Sequence, residues 1–159
     1  MKHFLPAILL PAILCAMMLT ACRDPEPQLN ASFETDIIVS GEQRLSAHLN
    51  RTPDALTITV TSPASIAGLA YTYSGDELTA SMSGCRCITD ASALPSGAFP
   101  SVVHTALSEL DRAAYLSSSD SGDTFTLSTA SGDVQVTIAD GLPVQISGDH
   151  LTYTITTAA

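Results

Sequence analysis

The stretch Arg44-Leu45-Ser46-Ala47-His48-Leu49-Asn50-Arg51, then Thr52-Pro53-Asp54, then Ala55-Leu56-Thr57-Ile58-Thr59-Val60-Thr61-Ser62 is written with a period of two. Leu45, Ala47 and Leu49 alternate with Arg44, Ser46, His48 and Asn50. After the turn, Leu56, Ile58 and Val60 alternate with threonine and serine. Successive side chains of a strand point to opposite faces, so this pattern predicts two antiparallel strands with one buried face. Proline and aspartate between them suit a tight turn.

Working outward, the same texture continues. Phe33 to Ser40 reads as a strand before this pair. After a connection over Pro63 to Leu69 come Ala70 to Ser74, a Ser74-Gly75-Asp76 turn, and Glu77 to Ser83. Gly84 to Pro100, with Cys85, Cys87 and Leu94-Pro95-Ser96-Gly97, reads as a mobile loop. Pro100 and Ser101 open the one helical pattern, Ser101 to Leu116, with Val103, Leu107, Leu110 and Ala114 at helical spacing and Val102 and Ala106 beside them. Ser117 to Asp123 reads as a polar loop. Strands follow at Thr124 to Ala130, Val134 to Ala139, Val144 to Ser147 and Leu151 to Thr157, joined by turns at Ser131-Gly132-Asp133, Asp140-Gly141-Leu142-Pro143 and Gly148-Asp149. The expectation is a mainly β (α+β) domain of about nine strands, a strongly curved antiparallel sheet or unclosed β-barrel with one covering helix near 101–116 on its concave face.

The N-terminus sets the compartment. Lys2 precedes an apolar run from Phe4 to Leu19, broken by Pro6 and Pro11, and Leu19-Thr20-Ala21-Cys22 ends it. A basic start, a short apolar region and small residues before the cut describe a secretory signal. The run falls short of the roughly 20 residues a membrane span needs. Leu-Thr-Ala-Cys resembles the bacterial lipobox, in which Cys22 carries the lipid, palmitate-type acyl chains, and becomes the mature N-terminus. Residues 1–21 are then the signal peptide, 22–32 the lipidated cysteine and a flexible tether, and 33–159 the β domain. The tether, Arg23 to Ser32, with two prolines and several polar residues, reads as an extended, solvated spacer. Two or more acyl chains anchor stably where one does so marginally. The expected location is the cell envelope, outside the cytoplasm. Arg23 stands where an aspartate would signal inner-membrane retention, which in a two-membrane host favours the outer membrane; in a one-membrane host the anchor is the cell membrane.

The 159-residue chain has a formal charge of −10 at pH 7. Past Cys22 it keeps all 16 acidic residues but no lysine, and Arg23, Arg44, Arg51, Arg86 and Arg112 are its arginines. Such a surface repels nucleic acid and anionic headgroups, which bind through clustered Lys and Arg. Tryptophan is absent, which disfavours stacking on sugars. Of four cysteines, Cys15 leaves with the signal and Cys22 takes the lipid. Cys85 and Cys87 remain, with three readings open: a local, strained disulfide, two free thiols, or a metal or redox role. A zinc site needs about four ligands, and no other cysteine or tight His pair is present.

Two segments carry a family resemblance. Thr59 to Ser83 runs strand, proline-led connection, strand, Gly-Asp hairpin, strand; Ile138-Ala139-Asp140-Gly141-Leu142-Pro143-Val144-Gln145-Ile146 is a Gly-Leu-Pro hairpin. In both, the chain is similar to the LolA-like superfamily of lipoprotein carriers and related lipoproteins, across most of residues 33–159. The resemblance implies an unclosed antiparallel barrel with helices covering an apolar interior. The chain departs from the carriers in being shorter, in lacking a helix before its first strand and in its own lipid anchor, which argues against a dedicated shuttle.

No catalytic constellation stands out. There is no Gly-x-Ser-x-Gly elbow and no Gly-rich phosphate loop. His48, His104 and His150 read as solvated surface residues. Asp76-Glu77 and Asp120/Asp123 lie in turns, where acids are ordinary, and Asp120 to Asp123 lacks the spacing and closing glutamate of a calcium loop. The expectation is a non-catalytic protein needing no cofactor or metal. Its concave face, with Leu56, Ile58, Val60, Leu69, Tyr71, Tyr73, Val103, Leu107 and Leu110, holds either an acyl chain or other apolar ligand, or simply core packing. The alternative function is an envelope adaptor that holds a partner protein through its acidic surface or a sheet edge.

Overall fold

The computed structural model describes residues 26–42 and 44–158. Eleven strands form one sheet: β1 (Phe33–Ser40), β2 (Arg44–Arg51), β3 (Leu56–Ser62), β4 (Ala70–Ser74), β5 (Glu77–Met82), β6 (Cys85–Asp90), β7 (Ala114–Ser119), β8 (Gly122–Thr129), β9 (Gly132–Ala139), β10 (Leu142–Ser147) and β11 (Thr154–Thr157). Their spatial order is β6-β5-β4-β3-β2-β1-β11-β10-β9-β8-β7. Every neighbouring pair is antiparallel, and β6 does not meet β7, so the sheet is an unclosed half-barrel. The helix, α1 (Phe99–Ser108), lies on the concave face.

Register explains how the alternating residues make a core. One row runs Leu45, Val39, Ile155, Ile146, Val136, Phe125, Tyr115 across seven strands. A second runs Phe33, Arg51, Leu56, Tyr73, Leu78, Thr89 through β1 to β6. Side chains two apart share a face, so both rows and those between them point inward. From α1, Val102, Val103, Ala106 and Leu107, with Leu110 just beyond it, close over them. Burying each Leu or Val of this kind contributes about 1.5–3 kcal/mol. A ten-residue helix is too short to hold its shape alone, so α1 depends on that packing. Pro100 in its first turn does no harm, because the missing N–H has no helical partner there.

The turns follow their residues. Asp140 and Gly141 have φ of 52° and 74°, the left-handed pair that a two-residue hairpin between β9 and β10 requires. Asn30 N–H donates to Gly141 O at 2.9 Å, and a Cβ on Gly141 would stand 2.6 Å from Asn30 Oδ1. Leu29 packs against the core. The folded body therefore takes in Leu29 and Asn30, within the segment expected to be tether. The signal segment and Cys22 lie outside the described residues.

The half-barrel with one covering helix is as expected; its ends are not. Gly84 to Pro100 is no uniform loop: β6 occupies Cys85–Asp90 and a 3-10 turn Ala91–Ala93. The helix does not run from Ser101 to Leu116. It begins at Phe99 and ends at Ser108, with a 3-10 turn over Leu110–Arg112. Ala114 and Leu116, expected in the helix, belong to β7, as do Ser117 to Ser119, expected in a loop. The strand count is therefore eleven, and both added strands are edges. An edge strand with no buried face needs no apolar alternation, so its sequence shows none: β6 is exposed throughout and β7 nearly so.

Candidate functional site

The residues expected on the concave face are brought together in large part. Leu56, Ile58, Tyr73, Val103, Leu107 and Leu110 belong to one buried cluster, with Tyr71 half-buried against it. Val60, buried, and Leu69, half-buried, lie outside that cluster. They sit where β3 passes to β4, linked by Val60 N–H donating to Leu69 O at 2.8 Å. Between α1 and the sheet the packing is tight. The void beside Val103, Ile37, Leu49 and Ile146 is about 10 Å³, at or below what one water needs. The helix occupies the concavity.

The polar groups at this interface are unequal. Tyr73 is 2% exposed and Ser101 8%, yet neither Tyr73 Oη nor Ser101 Oγ has a hydrogen-bond partner, and Arg51 Nη1 is likewise buried without one. A buried polar atom without a partner costs about 1–3 kcal/mol. Burial raises the Tyr73 pKa; the Ser101 hydroxyl faces Tyr73 Oη closely enough to pull it partly back, although the pair falls short of good hydrogen-bond geometry, and Tyr71 adds to the rise. Tyr71 is raised by burial as well. Burial pushes the Arg51 pKa down. His104, expected at the surface, instead stacks on Tyr73, ring centroids 4.1 Å apart and planes 10° apart. Burial lowers its pKa against a smaller opposing pull from Glu109. Of these groups, Arg51, Tyr73 and His104 line a cleft of about 410 Å³ beneath the C-terminal end of α1, with Leu56, Leu107 and Glu109 among its other walls.

At its other end α1 is pinned through the loop that precedes it. Tyr153 Oη donates to Gly97 O at 2.8 Å, and Ser131 Oγ bonds Ser96 Oγ. Burial pushes the Tyr153 pKa up to about 12. Among the described residues, the polar contact of the helical residues Phe99 to Ser108 with a strand is the weak one between Ser101 and Tyr73 of β4. Phe99 meets Tyr71 edge-on at 6.2 Å, an apolar contact.

A larger cleft, about 700 Å³, lies between the N-terminal segment and β8, β9 and the β9–β10 turn, with Gln28, Asn30, Asp123, Phe125, Ile138 and Asp140 among its walls. Its acidic, open lining does not suit an apolar chain. Cys85 and Cys87 are free and exposed on β6, not bridged; one strand carries both on the same face, which holds their Cβ atoms too far apart for a bond without bending the strand. Among the described residues no three His, Cys, Asp or Glu side chains gather as a metal site, and no helix is long and apolar enough to cross a membrane. His48, on the outer face, bonds Asp36 at 2.8 Å.

Arg51, Ser101 and His104 are the site residues that sequence reasoning missed. Arg51 carried a signal: it continues the inward series Leu45, Ala47, Leu49, so a charge stood in phase with an apolar face. Ser101 and His104, three apart on the helix, carried none that separates them from surface residues.

No protein-family description matches the chain, and no curated protein does. Among solved structures, an uncharacterized conserved protein from Thermus thermophilus is similar with a TM-score of 0.50 and 12% identity, over 81% of this chain and 77% of that one. A LolA superfamily protein from Nitrosomonas europaea is similar with a TM-score of 0.38 and 14% identity, over 83% of this chain and 69% of that one. At such identities the Thermus likeness supports the fold alone: a curved, open antiparallel sheet is shared by a chain of very different sequence.

Proposed function

We propose that this chain is a lipid-anchored, extracytoplasmic, non-catalytic binding protein, its anchor on Cys22, whose half-barrel takes an acyl chain or another apolar ligand in the space α1 occupies. The observation that carries this reading is the interface itself. The helix is held to the concave face chiefly by apolar contacts, and where its Ser101 meets Tyr73 of β4 the two buried hydroxyls face each other without a well-formed hydrogen bond. A permanent core buries polar groups with partners; an interface that must open tolerates their absence. With α1 swung outward about its pinned N-terminal loop, the side chains that grip it would grip a ligand of similar width. Native mass spectrometry of the purified chain tests this. An apolar mass released on denaturation, one per chain, is the expected result; an empty chain that also takes up no added long-chain fatty acid would overturn it.

A second reading, an envelope adaptor holding a partner at a sheet edge, is favoured by one observation. Ile88 on β6 and Leu116 on β7 are 55% and 52% exposed, and each lies on an open edge of the sheet. Co-purification of a stoichiometric partner, with no apolar mass, would move the function there.

A further inference from the structure

The β6 edge reads differently from the β7 edge. On its outer face β6 presents Arg86, Ile88 and Asp90 in succession: a positive charge, an apolar side chain and a negative charge, all exposed. Such a series is its own complement when the strand is turned end for end. If two copies pair antiparallel about a twofold axis at Ile88, Arg86 of each faces Asp90 of the other and the two Ile88 side chains meet. Glu77, across from Asp90 in β5, places a second carboxylate near the incoming guanidinium. The present partners of these groups are light. Arg86 Nη2 donates to Thr79 Oγ1 at 3.4 Å, and both contacts to Asp90, from Ser92 N–H and Ser92 Oγ, fall on Oδ1. β7, by contrast, holds no charge at all over Ala114–Ser119 and specifies no register.

We propose that β6 is a self-association edge, and that its occupant is a second copy of this chain, joined in the register that opposes Arg86 to Asp90 and Ile88 to Ile88. Twofold pairing of identical strands is isologous and closes at two copies, and it supplies main-chain partners to the open row of N–H and C=O groups along β6. Opposite charges directly across a strand pair favour a register and like charges oppose it. The competing register, which sets Cys85 against Cys87 of the other copy, brings Arg86 against Arg86 and Ile88 against Gly84, so charge selects against it. In the proposed register Cys87 faces Thr89. The pairing does not involve the concave face, so it stands or falls apart from the apolar-ligand reading.

The register gives the test. Full-length chain carrying Cys85→Ser and Thr89→Cys is treated with diamide in the membrane fraction and separated without reductant. Each bridge forms as two thiols give up their protons and two electrons to diamide, which becomes the hydrazine. The expected product is a dimer whose linked peptide joins residue 87 of one copy to residue 89 of the other. Adding Arg86→Asp should lower the dimer fraction about tenfold, since like charges then face each other twice; adding Arg86→Asp together with Asp90→Arg should restore it. Restoration also shows that the charge, not the fold, was at fault in the single variant. A chain that stays monomeric, a dimer indifferent to Arg86→Asp, or a Cys85–Cys87 link between copies of the unaltered chain would each overturn the proposal.

Discussion

The two halves of the concave face hold α1 in opposite ways. On the β8–β11 side, Phe125, Leu127, Val134, Val136, Ile138, Ile146 and Ile155 are buried, every one of them apolar, and the loop before the helix is fastened by Tyr153 and Ser131. On the β2–β5 side the same helix meets Arg51 and Tyr73 within the inward rows, and sets its own Ser101 and His104 against them. One side is free of unbonded polar atoms among the described residues and opens in a smaller cleft of about 240 Å³ where α1 meets the β8–β9 turn. The other buries three of them, two of which, on Arg51 and Tyr73, belong to residues that line an open cleft. A helix held firmly at one side and loosely at the other has a direction in which to move. On the proposed function, this asymmetry is where a hinge and a mouth would lie.

The contrast is broken most severely on the tight side. Phe125→Ala removes a fully buried ring from the long apolar row and should cost about 3–5 kcal/mol, read as a lowered denaturation midpoint with unchanged slope; a loss below about 1 kcal/mol would mean that this half is not the firm one. Next comes the fastening. Tyr153→Phe loses the bond to Gly97 O and should cost about 1 kcal/mol, while amide exchange rises through the loop at Ser96 to Ala98. On the loose side the sign changes. Tyr73→Phe removes an unbonded hydroxyl without changing the packing, so thermal stability should stay level or rise by up to about 1 kcal/mol. A clear destabilisation would show that the hydroxyl is satisfied and the asymmetry smaller.

The smallest effect is one of pH. Burial holds His104 below its ordinary value of 6.5, so in acid the unfolded chain takes up a proton there before the folded chain does. The stability that His104 contributes is complete above 6.5 and falls as the pH drops through its folded value. Because the ring is partly exposed the effect is modest. His104→Phe should flatten the fall in melting temperature between neutral and mildly acid solution; an unaltered slope would assign that fall to other groups.

How much of this is legible in the sequence depends on whether a residue's environment imposes a pattern. β1 through β5 and β8 through β11 each have one buried face, so burial writes period two into their sequences; Phe33–Ser40 and Arg44–Arg51 match the expected strands end to end. β6 and β7 have no face to bury, and their residues read as loop and as helix. A turn signal does exist for β6. Ser83 and Gly84, at φ of 51° and 83°, form the same two-residue hairpin as Asp140-Gly141 and pair Cys85–Asp90 with β5. For β7 the helical spacing of Leu107, Leu110 and Ala114 is accidental: Leu110 is buried from a 3-10 turn and Ala114 is exposed on a strand. Alternation names the concave residues, but whether they enclose a ligand or a helix is a matter of tertiary fit that no periodicity encodes. The site's polar members are hidden for a related reason. A buried serine or histidine looks in sequence like an exposed one, and only Arg51, out of place in its strand, stands out.

Entry of an apolar chain into the half-barrel requires α1 to be displaced. Amide hydrogen exchange across Val102 to Leu107, with and without palmitate, tests that requirement most directly. The expected result is faster exchange of those amides in the presence of palmitate, with Val134 to Ile138 unchanged. Equal or slower exchange along the helix, with palmitate bound, would place the ligand elsewhere and leave α1 a fixed part of the core.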